Sequence, residues 1–273
     1  MSAPGRLVVC PTPIGNLGDV TLRVLEVLRG ADVVACEDTR RTSVLLAHHG
    51  IRAASLVSVH EHNEASRAAS LVARVGAGEV VALVSDAGMP ALNDPGYVLI
   101  RAALSAGAAV EVLPGASSIT VALVLSGLPV DAWRFVGFLP RRASDLVAVL
   151  GSSSETTVAF ESPRRLRASL AALASDDPSR PVAVCRELTK VHEEVVRGTA
   201  ASVAEHFAAA EPRGEIVVVV GPAAAAPADL ESSVAALAAL VSAGAKTRPA
   251  AKVVAELTGV SANALYEALQ KRG

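Results

Sequence analysis

Apolar positions follow two alternating rhythms through the first part of this chain. Short runs rich in Val, Leu and Ala recur at RLVVC (6–10), ADVVAC (31–36), SLVSVH (55–60), EVVALVS (79–85) and AAVEVL (108–113), and these read as buried strands. Between them lie TLRVLEVLRG (21–30), RTSVLLAHHG (41–50), ASRAASLVARV (65–75) and GYVLIRAALSAG (96–107), whose apolar residues return at helical spacing. Gly30, Gly50 and Gly107 stand where helix C-caps are expected. Regular strand–helix alternation implies parallel pairing, hence an α/β domain over residues 1–114.

The rhythm changes after Leu113. WRFVGFL (133–139), TTVAFES (156–162), PVAVCREL (181–188), EEVVRG (193–198) and EIVVVVG (215–221) read as strands. Some are too close together for a crossover helix, as CRELTKVHEEVVRG shows, so antiparallel or mixed pairing is expected in a second α/β domain over 115–222. PAAAAPADLESS (222–233) reads as a flexible linker, and 223–273 as linker plus a helical module. In its tail, Thr247 with Pro249 suits a helix start, Gly259 a stop and Ser261 a second N-cap, giving two short helices.

Composition narrows the class. With 273 residues, 51% hydrophobic and 19% charged, the chain has material for two modest cores and is far from the disordered regime. A net charge of −2 gives no global basic field, so a nucleic-acid partner must be held by a local patch. Arg outnumbers Lys by 21 to 4, which favours guanidinium forks for phosphate, although a codon bias alone produces the same skew. The three cysteines show no C-x-x-C pairing, which argues against a metal or redox motif and fits a reducing cytoplasm. No apolar run is long enough to span a bilayer and the first residues lack the apolar core of a signal peptide, so a soluble cytoplasmic protein is expected.

Candidate chemistry collects at strand ends, where open α/β sheets bind their ligands. The loop ALVSDAGMPALNDPG (82–96) has the glycines of an anion site, yet Asp86 and Asp94 would repel a phosphate. PTPIGNLGD (11–19) is not G-x-G-x-x-G, and its prolines remove amide donors; on its own it is equally well a rigid turn. In ACEDTRRT (35–42), Glu37, Asp38 and Arg40 form either an active-site edge or a helix cap at Asp38 or Thr39. In SVHEHNE (58–64), alternation puts His60 and His62 on one side of a strand if the strand reaches that far; a third zinc ligand is missing, so a polar cluster or a proton-transfer role is favoured over metal. LPGASSITVAL (113–123) breaks at Pro114-Gly115 before a helix that Ser117 or Ser118 can cap. Its free N–H groups suit a carboxylate or a ribose hydroxyl, and the same break serves as an interdomain hinge.

Six segments occur in a specific order over nearly the whole chain: PTPIGNLGDVTLRVLEVL, EDTRRT, SVHEHNE, LVSDAGMPALNDPGY, LPGASSITVALVLSGLPVDAWRFVGFLP and FESPRRL. In these the chain closely resembles the ribosomal RNA small subunit methyltransferase I family. The resemblance implies a tetrapyrrole-methylase-like fold of two α/β domains, a homodimer, and S-adenosylmethionine (SAM) bent into the cleft between the domains. It implies methylation of a cytidine ribose 2′-oxygen in the decoding region of small-subunit rRNA. SAM carries a sulfonium, an ammonium and a carboxylate but no phosphate, which is what a loop mixing Asp with exposed amides suits.

By the same resemblance Asp86, Ala87 and Gly88 lie against the methionine moiety, and Ser117 and Ser118 touch the cofactor from a helix start. Pro13, Phe160, Glu161, Leu188 and Glu215 fall where the remaining walls should be. Three positions depart from the family pattern: Met89 in place of Thr, Val59 in place of Tyr and Ala116 in place of Pro. Met89 removes a side-chain hydroxyl and leaves backbone contacts intact.

A ribose hydroxyl is a poor nucleophile at neutral pH, so a base or a charge that stabilises the alkoxide is expected beside the methyl donor. His60 and His62 are the candidates, with Glu37 and Asp38 as orienters or alternatives. Arg40, Arg41, Arg141 and Arg142 are the expected phosphate contacts, with Arg164 and Arg165 behind them. Lys246, Arg248, Lys252, Lys271 and Arg272 of the tail either contact RNA or complete a dimer. Two rival functions keep the cofactor: C-methylation of a tetrapyrrole in cobalamin or sirohaem synthesis, and a non-catalytic SAM-binding rRNA assembly factor. The HEHN and EDTR segments and the tail favour the rRNA branch. A nicotinamide dehydrogenase is the poorest fit, because no strand is followed by G-x-G-x-x-G.

Overall fold

The computed structural model describes residues 5–60, 62–151, 153–209, 212–223 and 230–272. Five strands, β1 (Arg6–Val9), β2 (Val33–Cys36), β3 (Leu56–Ser58), β4 (Val80–Leu83) and β5 (Ala109–Val112), form a sheet in the order β3-β2-β4-β1-β5, parallel throughout. The crossovers are α1 (Leu22–Gly30), α2 (Thr39–His48), α3 (Glu64–Gly76) and α4 (Tyr97–Ser105). Residues of β1 and β2 are apolar in succession because both faces are covered. Val8, Cys10, Val34 and Cys36 pack with Val24 and Leu28 of α1, while Leu7, Val9, Val33 and Ala35 pack with Leu71, Val75 and Leu99 on the other side.

The second sheet contains β6 (Trp133–Phe138), β7 (Thr156–Glu161), β8 (Pro181–Arg186), β9 (Glu194–Thr199) and β10 (Ile216–Val220) in the order β6-β7-β10-β8-β9. Only β6–β7 is parallel, which gives the mixed pairing expected from the short β8–β9 connection. One face is covered by α6 (Ala143–Leu150), α7 (Pro163–Asp176) and α8 (Ala200–His206). The other packs on α5 (Ser118–Ser126) and on Ile14 from the loop after β1, so the two sheets share an apolar seam. Fully buried Arg180 locks the far end of this sheet, donating to the carbonyls of Gly221 (2.7 Å), Leu150 (2.8 Å) and Gly151 (3.1 Å).

Cys10, Cys36 and Cys185 are buried free thiols. Burial, chiefly, pushes Cys10 up to about 12 and Cys185 up to about 11, and raises Cys36 as well.

Contacts group Met1–Gly221 into one compact unit and Pro222–Gly273 into a second. The second unit is a bundle of α9 (Leu230–Ser242), α10 (Thr247–Thr258) and α11 (Ala262–Arg272), packed on Val234, Leu237, Val254 and Leu265. Two helices were expected there and three are found: α9 begins inside the stretch read as a linker, whose residues 224–229 lie outside the described ones. Its alanines and leucines are strong helix formers, and Val234 and Leu237 bury one face. Gly259 (φ +72°) ends α10 and Ser261 Oγ accepts from Ala264 N at 3.2 Å, as expected. Gly30 is a correction: α1 runs through it and is capped at Ala31, whereas Gly50 and Gly107 do adopt positive φ just past their helices.

Among the described residues no helix is long and apolar enough to cross a membrane.

Candidate active site

The carboxyl ends of β1 and β4 open toward the second sheet, and two loops define the crevice between them. Thr12 and Gly88 exchange backbone hydrogen bonds at 2.9 Å in both directions, tying the loop after β1 to the loop after β4. Thr12 Oγ1 also donates to Ser85 O (3.0 Å), and Ser85 Oγ donates to Gly88 O (3.1 Å). Gly88 has φ +79°, and a Cβ there would sit 3.3 Å from Ile14 Cγ2, so glycine lets the two loops meet. The rest of the loop is fixed by Glu64, a buried carboxylate at the start of α3. Its Oε1 accepts from Gly96 N (2.9 Å), Val98 N (2.7 Å) and Leu99 N (3.2 Å), capping α4 from outside its own sequence.

Four non-glycine residues among those described have positive φ: Ala91, Asn93, Glu187 and Thr189. They sit in the loop after β4 and in the turn between β8 and β9, both of which contribute lining to two cavities, and strain of about 1–3 kcal/mol each must be held by surrounding packing. Asn93 is held by Gly137 of β6: a Cβ on Gly137 (φ +70°) would lie 3.1 Å from its Nδ2. That glycine belongs to an irregularity in β6, where the register with β7 shifts between Phe135 and Phe138. The extra residue restores the parity of side-chain direction. Phe135 and Phe138 therefore both stack edge-on against Phe160, with ring centroids 5.0 and 5.6 Å away.

Between these loops lies a cavity of about 370 Å³. Its lining combines apolar Phe138, Phe160, Leu188, Ile216 and Val217 with polar Asp94, Ser117, Ser118 and Glu215. Ser117 and Ser118 stand at the start of α5, where the first backbone N–H groups point outward. A second cavity of about 310 Å³ adjoins the first and shares Ile14, Ala87 and Glu215 with it. The volumes fall at the small end of the usual range for small-molecule sites.

Of the residues expected around a cofactor, Ala87, Ser117, Ser118, Phe160, Glu161, Leu188 and Glu215 line the larger cavity. Pro13 and Asp86 line the second cavity instead, and Gly88 acts through its backbone bridge to Thr12. The Glu161 carboxylate is fully engaged: Ser162 N (2.7 Å), Arg165 Nε (2.7 Å) and Ser169 Oγ (2.5 Å) all donate to it. Arg165 also donates to Leu139 O, so it braces β6 against β7 rather than reaching outward.

The four residues expected to handle protons line neither cavity. The strand ends at Ser58, so the alternation that would pair His60 with His62 does not extend to them. Instead the chain turns: His60 N donates to Asn63 Oδ1 (2.9 Å), and the two rings meet edge-on at 6.0 Å. Asp38 is the N-cap of α2, accepting from Arg40 N (2.8 Å) and pairing with Arg40 Nη2 (2.7 Å), which lowers its carboxyl to about 2. Glu37 is half-buried behind Asp86, and burial with that neighbouring charge raises its pKa. Arg41 lines the second cavity, with Nε 3.6 Å from Asp86 Oδ2. Arg141 and Arg142 are exposed just before α6, and Arg164 is exposed on the first turn of α7.

Two residues at the cavities escaped the sequence reading. Asp94 was visible as an acid in a glycine-rich loop but not as a site residue. Burial, and then the charges of Glu37, Asp86 and Glu215, push its carboxyl up to about 7 against a hydrogen bond from Ser85. Lys190 carried no signal at all. Its Nζ lies 2.8 Å from Glu187 Oε1 and 3.1 Å from Glu215 Oε2, at the wall of the second cavity. Among the described residues no group of three or more His, Cys, Asp or Glu side chains is placed to hold a metal ion.

The family profile described as Tetrapyrrole (Corrin/Porphyrin) Methylases matches residues 6–204. The chain is 45% identical over 271 residues to ribosomal RNA small subunit methyltransferase I of Mesorhizobium japonicum, covering 96% of this chain and 90% of that one. To the protein of the same name from Escherichia coli O157:H7 it is 40% identical over 279 residues, with 100% and 97% covered. Among solved structures, uroporphyrin-III C-methyltransferase of Thermus thermophilus superposes with a TM-score of 0.57 at 24% identity, over 80% of this chain and 94% of that one. A structure of that Thermus enzyme complexed with S-adenyl homocysteine gives 0.56 at 22% identity, over 80% and 97%. A diphthine synthase gives 0.59 at 17% identity, over 79% and 89%. At such identities the structural likeness speaks for the fold alone.

Proposed function

Since the chain belongs to the ribosomal RNA small subunit methyltransferase I family, built on a tetrapyrrole-methylase fold, we propose that it transfers the methyl group of SAM to the 2′-oxygen of a cytidine ribose in the decoding region of small-subunit rRNA. The observation that carries this reading is the cavity between the sheets, which brings aromatic and aliphatic walls together with carboxylates and a helix start. Phe138, Phe160 and Leu188 suit a flat adenine ring, and the N–H groups at Ser117 and Ser118 suit a carboxylate or ribose hydroxyl. Asp94 and Glu215 offer negative charge to a sulfonium and an ammonium. Asp94 and Glu215 make this larger cavity a poor one for a pyrophosphate.

Bound SAM supplies an electrophilic methyl group on a sulfonium. The protein's task is alignment and proton removal. The Thr12–Gly88 bridge and the Glu64 cap hold the loop that would set the donor's position, which matters because displacement requires an in-line approach. Asp94 is the better candidate for the base than His60 or His62, because it lines the cavity and titrates near neutrality. Its carboxylate oxygen would take the 2′-hydroxyl proton. The homodimer, the cytoplasmic location and the division of the chain at about residues 114 and 222 belong to this same reading.

The test offers labelled SAM, with purified protein, to small subunits lacking the modification and, separately, to a tetrapyrrole precursor. Label at an alkali-resistant ribose of the rRNA is the expected result. Label only in the tetrapyrrole would keep the cofactor and overturn the substrate. Label in neither, with SAM still bound, would favour a non-catalytic assembly factor.

A further inference from the structure

We infer that the second cavity is the acceptor pocket, receiving one ribonucleotide unit of the RNA, and that Lys190 and Arg41 hold the phosphate attached to its 3′-oxygen. This rests on the methyl-transfer reading above and adds where the acceptor sits and what holds it.

The first argument is geometric. The two cavities have a common wall in Ile14, Ala87 and Glu215. If the larger one holds the methyl donor, a nucleophile in the smaller one lies next to it, across these three residues. The second argument is chemical. The 2′- and 3′-oxygens of a ribose stand on neighbouring carbons, so presenting the 2′-oxygen brings the 3′-phosphodiester along with it. An anion so close to the reacting atoms needs a cation in the same pocket, and Lys190 and Arg41 both line this one, where they offset the charges of Asp86 and Glu215. Apolar Pro13, Leu17 and Val44 complete its walls. Its volume of about 310 Å³ is within the range of small-molecule sites.

The third argument is the way Lys190 is held. The turn between β8 and β9 has positive φ at Glu187 (+51°) and Thr189 (+63°), and so sends Leu188 to the donor cavity and Lys190 to the second one. Gly15 packs against this turn so closely that a Cβ would lie 2.5 Å from Lys190 Cγ and 2.8 Å from Leu188 O. Asn16 N donates to Thr189 Oγ1 at 3.0 Å. The ammonium is thus positioned before any ligand arrives. Glu187 Oε1 holds the ammonium at 2.8 Å from a largely buried side chain. The second partner, Glu215, has a side chain 60% exposed, so that outer pair is worth little and a phosphate can take the place of Glu215. Arg41 is equally available, since its contact to Asp86 is long, at 3.6 Å.

The experiment compares wild type, Lys190→Met, Lys190→Arg and Val44→Trp, using unmodified small subunits as acceptor and calorimetry for SAM. Val44 is exposed on α2 and lines the pocket, so a Trp there fills it from outside without touching the core. Lys190→Met is expected to raise the KM for subunits about tenfold, as loss of one charge-assisted contact should. It should also flatten the salt dependence of RNA binding by about 0.7 to 0.9 in the log–log slope. Lys190→Arg should recover most of both, and Val44→Trp should reduce transfer at least as much as Lys190→Met does. SAM affinity should stay within about twofold in Val44→Trp, which shares no partner with the donor cavity, and in Lys190→Arg, which keeps a positive charge beside Glu215. Unchanged KM and salt slope in Lys190→Met, with active transfer, would overturn the inference alone. A fall in SAM affinity matching the loss of transfer would also overturn it. Absence of rRNA labelling by wild type would remove the underlying reading and this inference with it.

Discussion

Glu64 Oε1 accepts a hydrogen bond from Gly96 N at 2.9 Å, joining the first residue of one helix to the turn that starts the next. The same oxygen serves Val98 N and Leu99 N, so one buried carboxylate satisfies three donors that α4 cannot satisfy itself. Gly96, with φ +127°, cannot be capped locally by a side chain of its own. The motif residue that sequence reading passed over for its histidine neighbours is therefore what holds the cavity loop closed.

Replacing Glu64 by Gln keeps the shape and removes the charge. Folding stability should fall by about 1–3 kcal/mol, from weakened bonds to buried donors and loss of the helix-dipole contribution. Urea midpoints check this. A second effect is expected on SAM affinity, which should weaken because the 85–96 loop loses its anchor.

Asp94→Asn tests the base. In wild type, single-turnover methyl transfer should rise as pH increases through about 7, where the Asp94 carboxyl loses its proton. The variant should be slow and lack that limb. Stability should move the opposite way. A carboxyl raised from 3.8 to about 7 makes the folded state bind more protons than the unfolded one between those values, so wild-type stability falls as pH rises through that window. Thermal melts should show Asp94→Asn gaining on wild type from pH 5 to pH 8. A pH-independent difference between the two would remove Asp94 from both roles.

Arg180 is structural and distant from either cavity. Burial lowers its pKa, yet it donates to carbonyls on two separate connections, Gly221 after β10, and Leu150 and Ser153 where α6 leads into β7. Arg180→Met should cost about 2–4 kcal/mol by leaving those acceptors unpaired. SAM affinity of the folded fraction should be unchanged, which separates this residue from the site.

Arg141 and Arg142 form no ion pair among the described residues and stand exposed ahead of α6. If they contact RNA phosphates, the double Ala variant should bind small subunits more weakly and with a flatter salt dependence, by about one unit of log–log slope. An unchanged slope would mean the two arginines are simply solvated.

Strand runs such as RLVVC and EVVALVS were legible because burial on both faces leaves an uninterrupted apolar signature. The mixed second sheet was legible from spacing, since the β8–β9 connection is too short for a crossover. Side-chain direction at SVHEHNE was not, because it depends on where β3 stops, and Asn63 makes it stop early by hydrogen-bonding His60 N. Lys190 was invisible for a related reason. Its position follows from two strained backbone angles and from Gly15, a residue 175 positions away in sequence whose missing side chain leaves room for it. Long-range contacts of this kind leave no periodicity to read.

The buried thiols give each sheet an independent reporter of its own opening. Cys10 and Cys36 belong to the parallel sheet and Cys185 to the mixed one, all unpaired and held in the poorly reactive protonated form. A maleimide reaches them only when the surrounding strands part, so the labelling rate at each site becomes a clock for local unfolding. If a ligand seated between the sheets slowed all three clocks together, the crevice would be the hinge on which both halves breathe. Slowing of Cys185 alone would assign the ligand's grip to the mixed sheet, with no engineered probe required.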